Sequence, residues 1–242
     1  MPGNELHILP DNASLLQGTA EFLRDSIADV LSSKEHCTIA LSGGSTPRGL
    51  YELLASRSFS ADIQWDKLHF FLGDERYVPH DHPDSNFRMV KESLFRNRKT
   101  EPAYLYPVDT NLTPREAAAA YEQALRNVVG KDGVLDIILL GLGNDAHTAS
   151  LFPNTDVLDE KTAWVKELYV EKLNAWRITF TVPLINAART IVFLVSGASK
   201  AEAIHHVLRG PRNPRLFPAQ LVKPSQGVVH WFVDDEAARG LS

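Results

Sequence analysis

The segment Asp136-Ile137-Ile138-Leu139-Leu140-Gly141-Leu142-Gly143-Asn144-Asp145-Ala146-His147 decides the fold. Its apolar run is long enough for one buried strand, and glycines, an acid and a histidine follow where that strand would end. Such continuous apolar strands are typical of a parallel sheet that is covered on both faces. Because open α/β sheets bind ligands beyond the carboxyl ends of their strands, we expect Asp145 and His147 to lie near a binding site.

A second apolar strand, residues 37–41, leads into Ser42-Gly43-Gly44-Ser45-Thr46-Pro47. Two glycines allow the backbone to approach a ligand, and we predict that Thr46 caps a helix with Pro47 in its first turn. The free N–H groups and the dipole of a helix start attract phosphate. A tight turn without a ligand is the alternative. A nucleoside-triphosphate loop is excluded because no Gly-Lys-Ser/Thr closes the segment.

Other parts of the chain extend the same architecture. Apolar runs at residues 68–72 and 190–195 alternate with helices, and residues 6–9 could form an edge strand. In residues 164–182, polar Arg177, Thr179 and Thr181 alternate with apolar residues, which predicts antiparallel strands with one wet face. We therefore predict an α/β fold: a mainly parallel, doubly wound sheet with helices on both faces, a small antiparallel addition, and one domain over residues 1–242.

Composition limits the classes of partner. The 242 residues carry 25 basic and 30 acidic side chains, a net charge of -5, which argues against nucleic acid as a partner. Cys37 is the only cysteine, so no intrachain disulfide can form. The N-terminus lacks the features of a secretion signal, and no segment has the apolar length of a membrane span. We expect a cytoplasmic protein without membrane or nucleic-acid partners.

Two cations far apart in sequence could complete a phosphate site with the glycine loop. Ser199 and Glu202 form a capping-box pattern, which would place Lys200 in the first turn of a helix, where a bound anion would offset its charge. Arg177 has a planar fork that suits phosphate. Each could also be a solvated surface charge.

His147 is a candidate general base because an imidazole exchanges protons near neutral pH. Asp145 could orient it or contact the substrate, and a histidine that caps a turn is the structural alternative. Residues 141–146 also match a dinucleotide fingerprint, but Asp145 would occupy the pyrophosphate position and Pro153 would interrupt the following helix.

A third polar loop, residues 73–86, follows the strand at 68–72. It contains His80, Asp81 and His82, which could suggest a metal, but adjacent prolines and the lack of a helical i, i+4 pair favour a solvated loop. We expect no metal there.

Five segments together resemble the glucosamine-6-phosphate isomerase/6-phosphogluconolactonase family. They occur in the family's order and span most of the chain: residues 41–47; Gly73-Asp74-Glu75-Arg76 with Val78-Pro79 and Ser85-Asn86; residues 141–153; Arg177-Ile178-Thr179; and Lys200 after Ser196-Gly197. The resemblance to the 6-phosphogluconolactonases implies hydrolysis of 6-phospho-D-glucono-1,5-lactone to 6-phospho-D-gluconate in the oxidative pentose phosphate pathway. It implies no cofactor, a small phosphorylated lactone as ligand, and a monomer or small homo-oligomer.

The resemblance also implies roles for individual residues. His147 would be the catalytic base, and Arg76 would steady the oxyanion or orient the substrate. Asp74 joins the substrate-binding residues, and whether Asp74 or Asp145 assists His147 is left open. The residues implied in holding the 6-phosphate are Gly43, Gly44, Ser45, Thr46, Arg177 and Lys200.

Ala146 departs from the family pattern, which has glycine at this position. We expect the alanine to be tolerated, with the loop in a right-handed conformation or slightly displaced. The nearest competing function is that of a glucosamine-6-phosphate deaminase. The deaminases resemble this chain in the phosphate loop, but they carry a glutamate at the position of Phe152. A non-catalytic sugar-phosphate sensor is a second competing function, and a nicotinamide-dependent oxidoreductase is a remote third.

Overall fold

A computed structural model describes residues 3–95 and 104–241. The strands found there are β1 (Asn4–Leu9), β2 (Cys37–Leu41), β3 (Leu68–Leu72), β4 (Asp74–Arg76), β5 (Ile137–Leu140), β6 (Val165–Val170), β7 (Ala175–Phe180), β8 (Thr190–Val195) and β9 (Val228–Asp234). The α-helices are α1 (Asn12–Ser33), α2 (Ser45–Leu54), α3 (Arg57–Ser60), α4 (Asn86–Leu94), α5 (Pro114–Val129), α6 (Val182–Ala187), α7 (Ala201–Leu208) and α8 (Asp235–Ala238).

The main sheet has six parallel strands in the order β1-β9-β8-β5-β2-β3. The predicted α/β class with a mainly parallel sheet is confirmed. After β2 the chain moves outward to β3, and it then returns to place β5 on the other side of β2. The ends of β2 and β5 therefore lie at a point where the direction of winding reverses, which is where such sheets form a ligand crevice.

Alternate side chains of the central strands enter two apolar cores. Ile39 and Leu139 pack on the side of α1 and α2, whereas Ala40 and Ile138 pack on the side of α5. The second of these cores also contains Phe180 of the smaller sheet. This shared core supports the single-domain assignment, which stays a prediction. In the described ranges no helix combines the length and the apolar character needed to cross a membrane.

The predicted antiparallel addition is a separate sheet in the order β4-β7-β6. The expectation of a wet face on this segment is wrong for Thr179 and Thr181, which are buried. Their hydroxyl groups are satisfied internally: Thr179 Oγ1 accepts from the Ser150 amide at 3.1 Å, and Thr181 Oγ1 donates to the Ala163 carbonyl at 2.6 Å. The alternating threonines therefore lie on a second packed face and not on a face in contact with solvent.

Helix starts agree only partly with the sequence pattern. The capping box of Thr113 and Glu116 opens α5 as predicted. By contrast α2 begins at Ser45, with Gly44 rather than Thr46 at the cap and no side-chain cap. The capping box predicted at Ser199 is also absent, because a 3₁₀ turn occupies residues 198–200 and Lys200 itself is the cap of α7. Gly44 has a φ of 111°, a conformation open to glycine, so the chain can enter α2 directly from the loop.

Candidate active site

A cavity of about 470 Å³ opens beyond the carboxyl ends of β2 and β5. It combines residues of the two glycine loops with residues of the smaller sheet. Its lining residues are Ser42, Gly43, Gly44, Asp74, Arg76, Asn86, Gly141, Leu142, Gly143, His147, Thr148, Ala149, Ser150, Phe152, Lys172, Leu173, Arg177 and Lys200. Of the predicted site residues, Ser45, Thr46 and Asp145 do not line it.

The glycine loop after β2 is closely packed against the start of α4. A Cβ atom at Gly43 would lie 2.1 Å from Asn86 Oδ1, so only glycine fits there. The Asn86 amide is fixed in turn, because its Nδ2 donates to the Asp74 carbonyl at 2.9 Å. Ser45 is exposed and Thr46 half-buried in the first turn of α2, outside the cavity lining, so their side-chain contacts with phosphate stay predictions.

His147 forms a dyad with Asp145 at the cavity wall. The Nδ1 atom of His147 lies 2.5 Å from Asp145 Oδ1, and Lys172 Nζ donates to the other carboxylate oxygen. These bonds, the histidine contact first, hold the pKa of Asp145 well below its ordinary value. The carboxylate therefore stays ionised and fixes the imidazole, so Nε2 is the ring nitrogen left to accept a proton.

The loop that carries His147 contains a backbone conformation that the sequence pattern did not predict. Ala146 has a φ of 58°, so the expected right-handed conformation is wrong. Two hydrogen bonds fix this alanine: its N–H donates to the Gly143 carbonyl at 3.0 Å, and its carbonyl accepts from the Ala219 amide at 3.0 Å. Left-handed backbone at alanine costs on the order of 1 kcal/mol, and the surrounding contacts offset that strain.

The conformation of the same loop also requires a glycine at position 143. Its N–H donates to the His147 carbonyl at 2.8 Å, which closes a tight turn. A Cβ atom at Gly143 would lie 2.0 Å from His147 Nδ1, so the imidazole ring occupies the space that a side chain would need. The ring is also covered by Phe152, whose centroid lies 4.3 Å away.

Cationic side chains dominate the rest of the wall. The described lining residues include four cationic side chains but only one carboxylate, that of Asp74. The cations are those of Arg76, Lys172, Arg177 and Lys200. Burial and the neighbouring Arg76 charge lower the pKa of Arg177, and burial lowers the pKa of Lys200. Lys200 Nζ donates to the neutral amide oxygen of Asn144 at 2.7 Å. A cavity with this excess of positive charge favours an anionic ligand.

Asp74 and Glu75 have different partners from those of the dyad. Asp74 Oδ2 accepts from Ser150 Oγ at 2.6 Å, so the carboxylate that contacts His147 is Asp145. Glu75, buried to 1% exposure, accepts from the backbone amides of Arg76, Asn86 and Phe87 at 2.8, 2.7 and 2.8 Å. Burial raises the pKa of Glu75 despite these bonds. Glu75 joins β4 to the start of α4 and thereby positions Arg76.

Sequence reasoning assigned no role to Lys172, Asn86 or Phe152 in building the cavity. Asn86 could have been noticed, since it ends the polar loop within a segment of family resemblance. Lys172 lies in the 3₁₀ turn between β6 and β7, and nothing in its neighbourhood marks it before the hairpin is folded. In the polar loop, His80 Nε2 contacts the Val108 carbonyl at 2.7 Å and His82 Nδ1 accepts from the Asp84 amide at 3.1 Å.

Comparison with known proteins assigns the chain to a family. The family model described as glucosamine-6-phosphate isomerases/6-phosphogluconolactonase matches residues 10–231. The chain belongs to this family. Within the glucosamine-6-phosphate isomerase/6-phosphogluconolactonase family, a 6-phosphogluconolactonase of Nostoc sp. is 37% identical over 98% of both chains. A second one, of Synechocystis sp., is 38% identical over 98% of both chains.

Solved structures of the family share the whole fold. The 6-phosphogluconolactonase of Trypanosoma brucei superposes with a TM-score of 0.87 at 28% identity, covering 100% of both chains. A monomeric glucosamine-6-phosphate deaminase superposes with a TM-score of 0.82 over 97% of this chain and 99% of that one, but at 23% identity. This second likeness shows the shared fold alone.

Proposed function

We propose that this chain hydrolyses 6-phospho-D-glucono-1,5-lactone to 6-phospho-D-gluconate, the lactone step of the oxidative pentose phosphate pathway. One observation carries the proposal: His147, which is paired with Asp145, lines the same cavity as Arg76, Arg177 and Lys200. A general base close to a cationic anion-binding wall suits a substrate that has a phosphate at one end and a reactive ester at the other. The activity of the named relatives supports the same assignment.

The phosphate is proposed to bind the glycine-loop side of the cavity. Gly43 and Gly44 bring backbone close to the ligand, and α2, a helix of 10 residues, begins directly after them. Lys200 and Arg177 would supply charge-assisted hydrogen bonds, which are roughly twice as strong as neutral ones. The remote phosphate would thereby orient the lactone ring towards His147.

His147 is proposed to take a proton from water through Nε2 as the water oxygen attacks the lactone carbonyl carbon. The oxyanion that forms would be stabilised by a cationic group of the wall, for which Arg76 is our candidate. Collapse of this intermediate breaks the bond to the ring oxygen, which takes the proton held by His147, and the carboxylic acid that results ionises. Asp145 stays ionised throughout and stabilises the imidazolium.

The deaminase alternative is disfavoured by Phe152. Its ring packs against His147 and has no group that can transfer a proton, where the deaminases that this chain resembles carry a glutamate. A sensor would bind the sugar phosphate without turning it over. Both the deaminase and the sensor hypotheses predict no acid release from the lactone.

The deciding experiment measures acid release from freshly prepared lactone. Wild type is expected to accelerate hydrolysis above the spontaneous rate, His147→Ala to lower kcat by about 10²- to 10⁴-fold, and Lys200→Ala mainly to raise KM. His36→Ala, at an exposed histidine outside the cavity, is the matched control and should keep the wild-type rate. Equal, near-background rates for wild type and both site variants would end the proposal.

A further inference from the structure

A second cluster of potential ligand atoms lies on the main sheet, away from the cavity. In residues 3–95 and 104–241, Glu5, His7 and His230 are the one group of three or more His, Cys, Asp or Glu side chains whose ligand atoms all converge, within 4.8 Å. Glu5 and His7 are two residues apart on β1 and thus share a face of the sheet. His230 on β9 is the register partner of Glu5.

Three atoms define the cluster. His230 Nδ1 lies 3.3 Å from His7 Nε2 and 3.3 Å from Glu5 Oε2, and the latter two atoms are 4.0 Å apart. A point about 2.1 Å from all three atoms lies inside this triangle, which matches the bond lengths of Zn²⁺ to imidazole nitrogen and carboxylate oxygen.

Hydrogen bonds among the three atoms cannot pair all of them at once. A proton on either nitrogen can lie along one edge, and protons on both nitrogens would oppose each other across the short His7–His230 edge. A cation at the centre contacts all three electron-pair donors at once. We propose that Glu5, His7 and His230 form a structural binding site for Zn²⁺ that ties the edge strand β1 to β9.

The surroundings suit such a site. The His7 ring stacks on Phe232 with centroids 4.3 Å apart, and Phe22 of α1 lies 4.5 Å from the His230 ring, so apolar rings hold both imidazoles. Glu5 is exposed and His7 half-buried, which leaves a route for the ion. Two nitrogens and one oxygen favour zinc over magnesium or calcium, whose preferred ligands are oxygens, and water on the open side of the triangle would complete the coordination shell.

The site would act on stability rather than on turnover. β1 is an edge strand that pairs only with β9 in the described sheet. A ligand that binds the folded chain raises the free energy of unfolding, and a clip between β1 and β9 would add to it directly. None of the three residues lines the cavity of His147, so the proposal is independent of the lactonase assignment.

The test is calorimetric titration of zinc chloride into the full chain, with thermal unfolding measured in parallel. The His147→Ala background removes the cavity imidazole as a competing ligand. In that background we expect one zinc site and a raised unfolding midpoint, with binding weakened by about tenfold or more in His7→Ala and His230→Ala, a loss of at least 1.4 kcal/mol.

Glu5→Gln provides a variant that keeps the fold, because Glu5 is exposed. It should also weaken zinc binding, while His36→Ala, an exposed histidine outside the cluster, should not. Unchanged zinc affinity in Glu5→Gln and the two histidine variants, or no effect of zinc on the unfolding midpoint of the His147→Ala protein, would overturn the proposal.

Discussion

Arg76 and Arg177 are register partners across the antiparallel pair of β4 and β7, and both residues line the cavity that contains His147. Like charges directly opposite each other destabilise a sheet. Burial adds to this cost at Arg177, whose pKa is lowered by desolvation and by Arg76. A bound anion would relieve both effects, so Arg177 is expected to bind phosphate more tightly than an isolated surface arginine does.

Arg177→Ala is therefore expected to raise KM for the phosphorylated lactone by about 10- to 100-fold with a smaller change in kcat, since hydrogen bonds to charged groups contribute about 1.5–3 kcal/mol. Inhibition by inorganic phosphate should weaken in parallel. Steady-state kinetics check both. Arg115→Ala, at an exposed arginine in the first turn of α5, is the control and should leave KM unchanged. A fall in kcat at constant KM would contradict the assigned role.

Gly143→Ala is expected to displace the His147 ring, because the added Cβ would lie 2.0 Å from Nδ1. A misplaced base costs on the order of 10²-fold in kcat. Gly141→Ala is the matched comparison in the same loop, since its Cβ would meet Ser42 Oγ at an ordinary 3.7 Å, and it should keep most of the wild-type kcat. Similar activities of the two variants would show that the His147 ring tolerates displacement.

Ala146→Gly is expected to leave the free energy of unfolding within about 1 kcal/mol of wild type. Relief of left-handed strain, about 1–2 kcal/mol, offsets the lost burial of a methyl group and the greater freedom of glycine in the unfolded chain. Ala118→Gly in α5, equally buried but right-handed, gains no such relief and should lose about 2 kcal/mol. Urea unfolding compares them, and equal losses would refute the strain at Ala146.

The low pKa of Asp145 predicts a stability contribution that acid removes. The hydrogen bond to His147 lowers the pKa most. Desolvation opposes it, and the hydrogen bond from Lys172 lowers the pKa further. A carboxyl whose folded pKa lies below its unfolded value stabilises the protein above the unfolded pKa, near 4, and loses that contribution as pH falls towards the folded pKa. The difference in unfolding free energy between wild type and Asp145→Asn should therefore shrink from pH 5 to pH 2. A constant difference would be inconsistent with the dyad.

Much of the architecture could be predicted from sequence. The limits of β2 and β8 were predictable because every residue of β2 and all but the first of β8 are buried, and such runs leave little choice of boundary. The convergence of Gly43 and His147 also followed, because parallel strands deliver their loops to one edge.

Other features depended on contacts that no local pattern contains. The left-handed Ala146 is fixed by a hydrogen bond from Ala219, 73 positions later in the chain. Lys172 reaches Asp145 only after β6 and β7 have formed their hairpin. The buried Thr179 and Thr181 had the alternation of a solvated strand face, and only the packing of the smaller sheet shows that this face is covered.

The buried carboxylate of Glu75 has an implication for how this protein tolerates change. One side chain satisfies amides of both β4 and α4, so its loss would at once weaken the fold and release Arg76 from its place beside Arg177. A laboratory selection for thermal stability alone would therefore retain Glu75 and, with it, the shape of the binding cavity near Arg76. Resistance to unfolding and recognition of the ligand cannot be varied separately at this position.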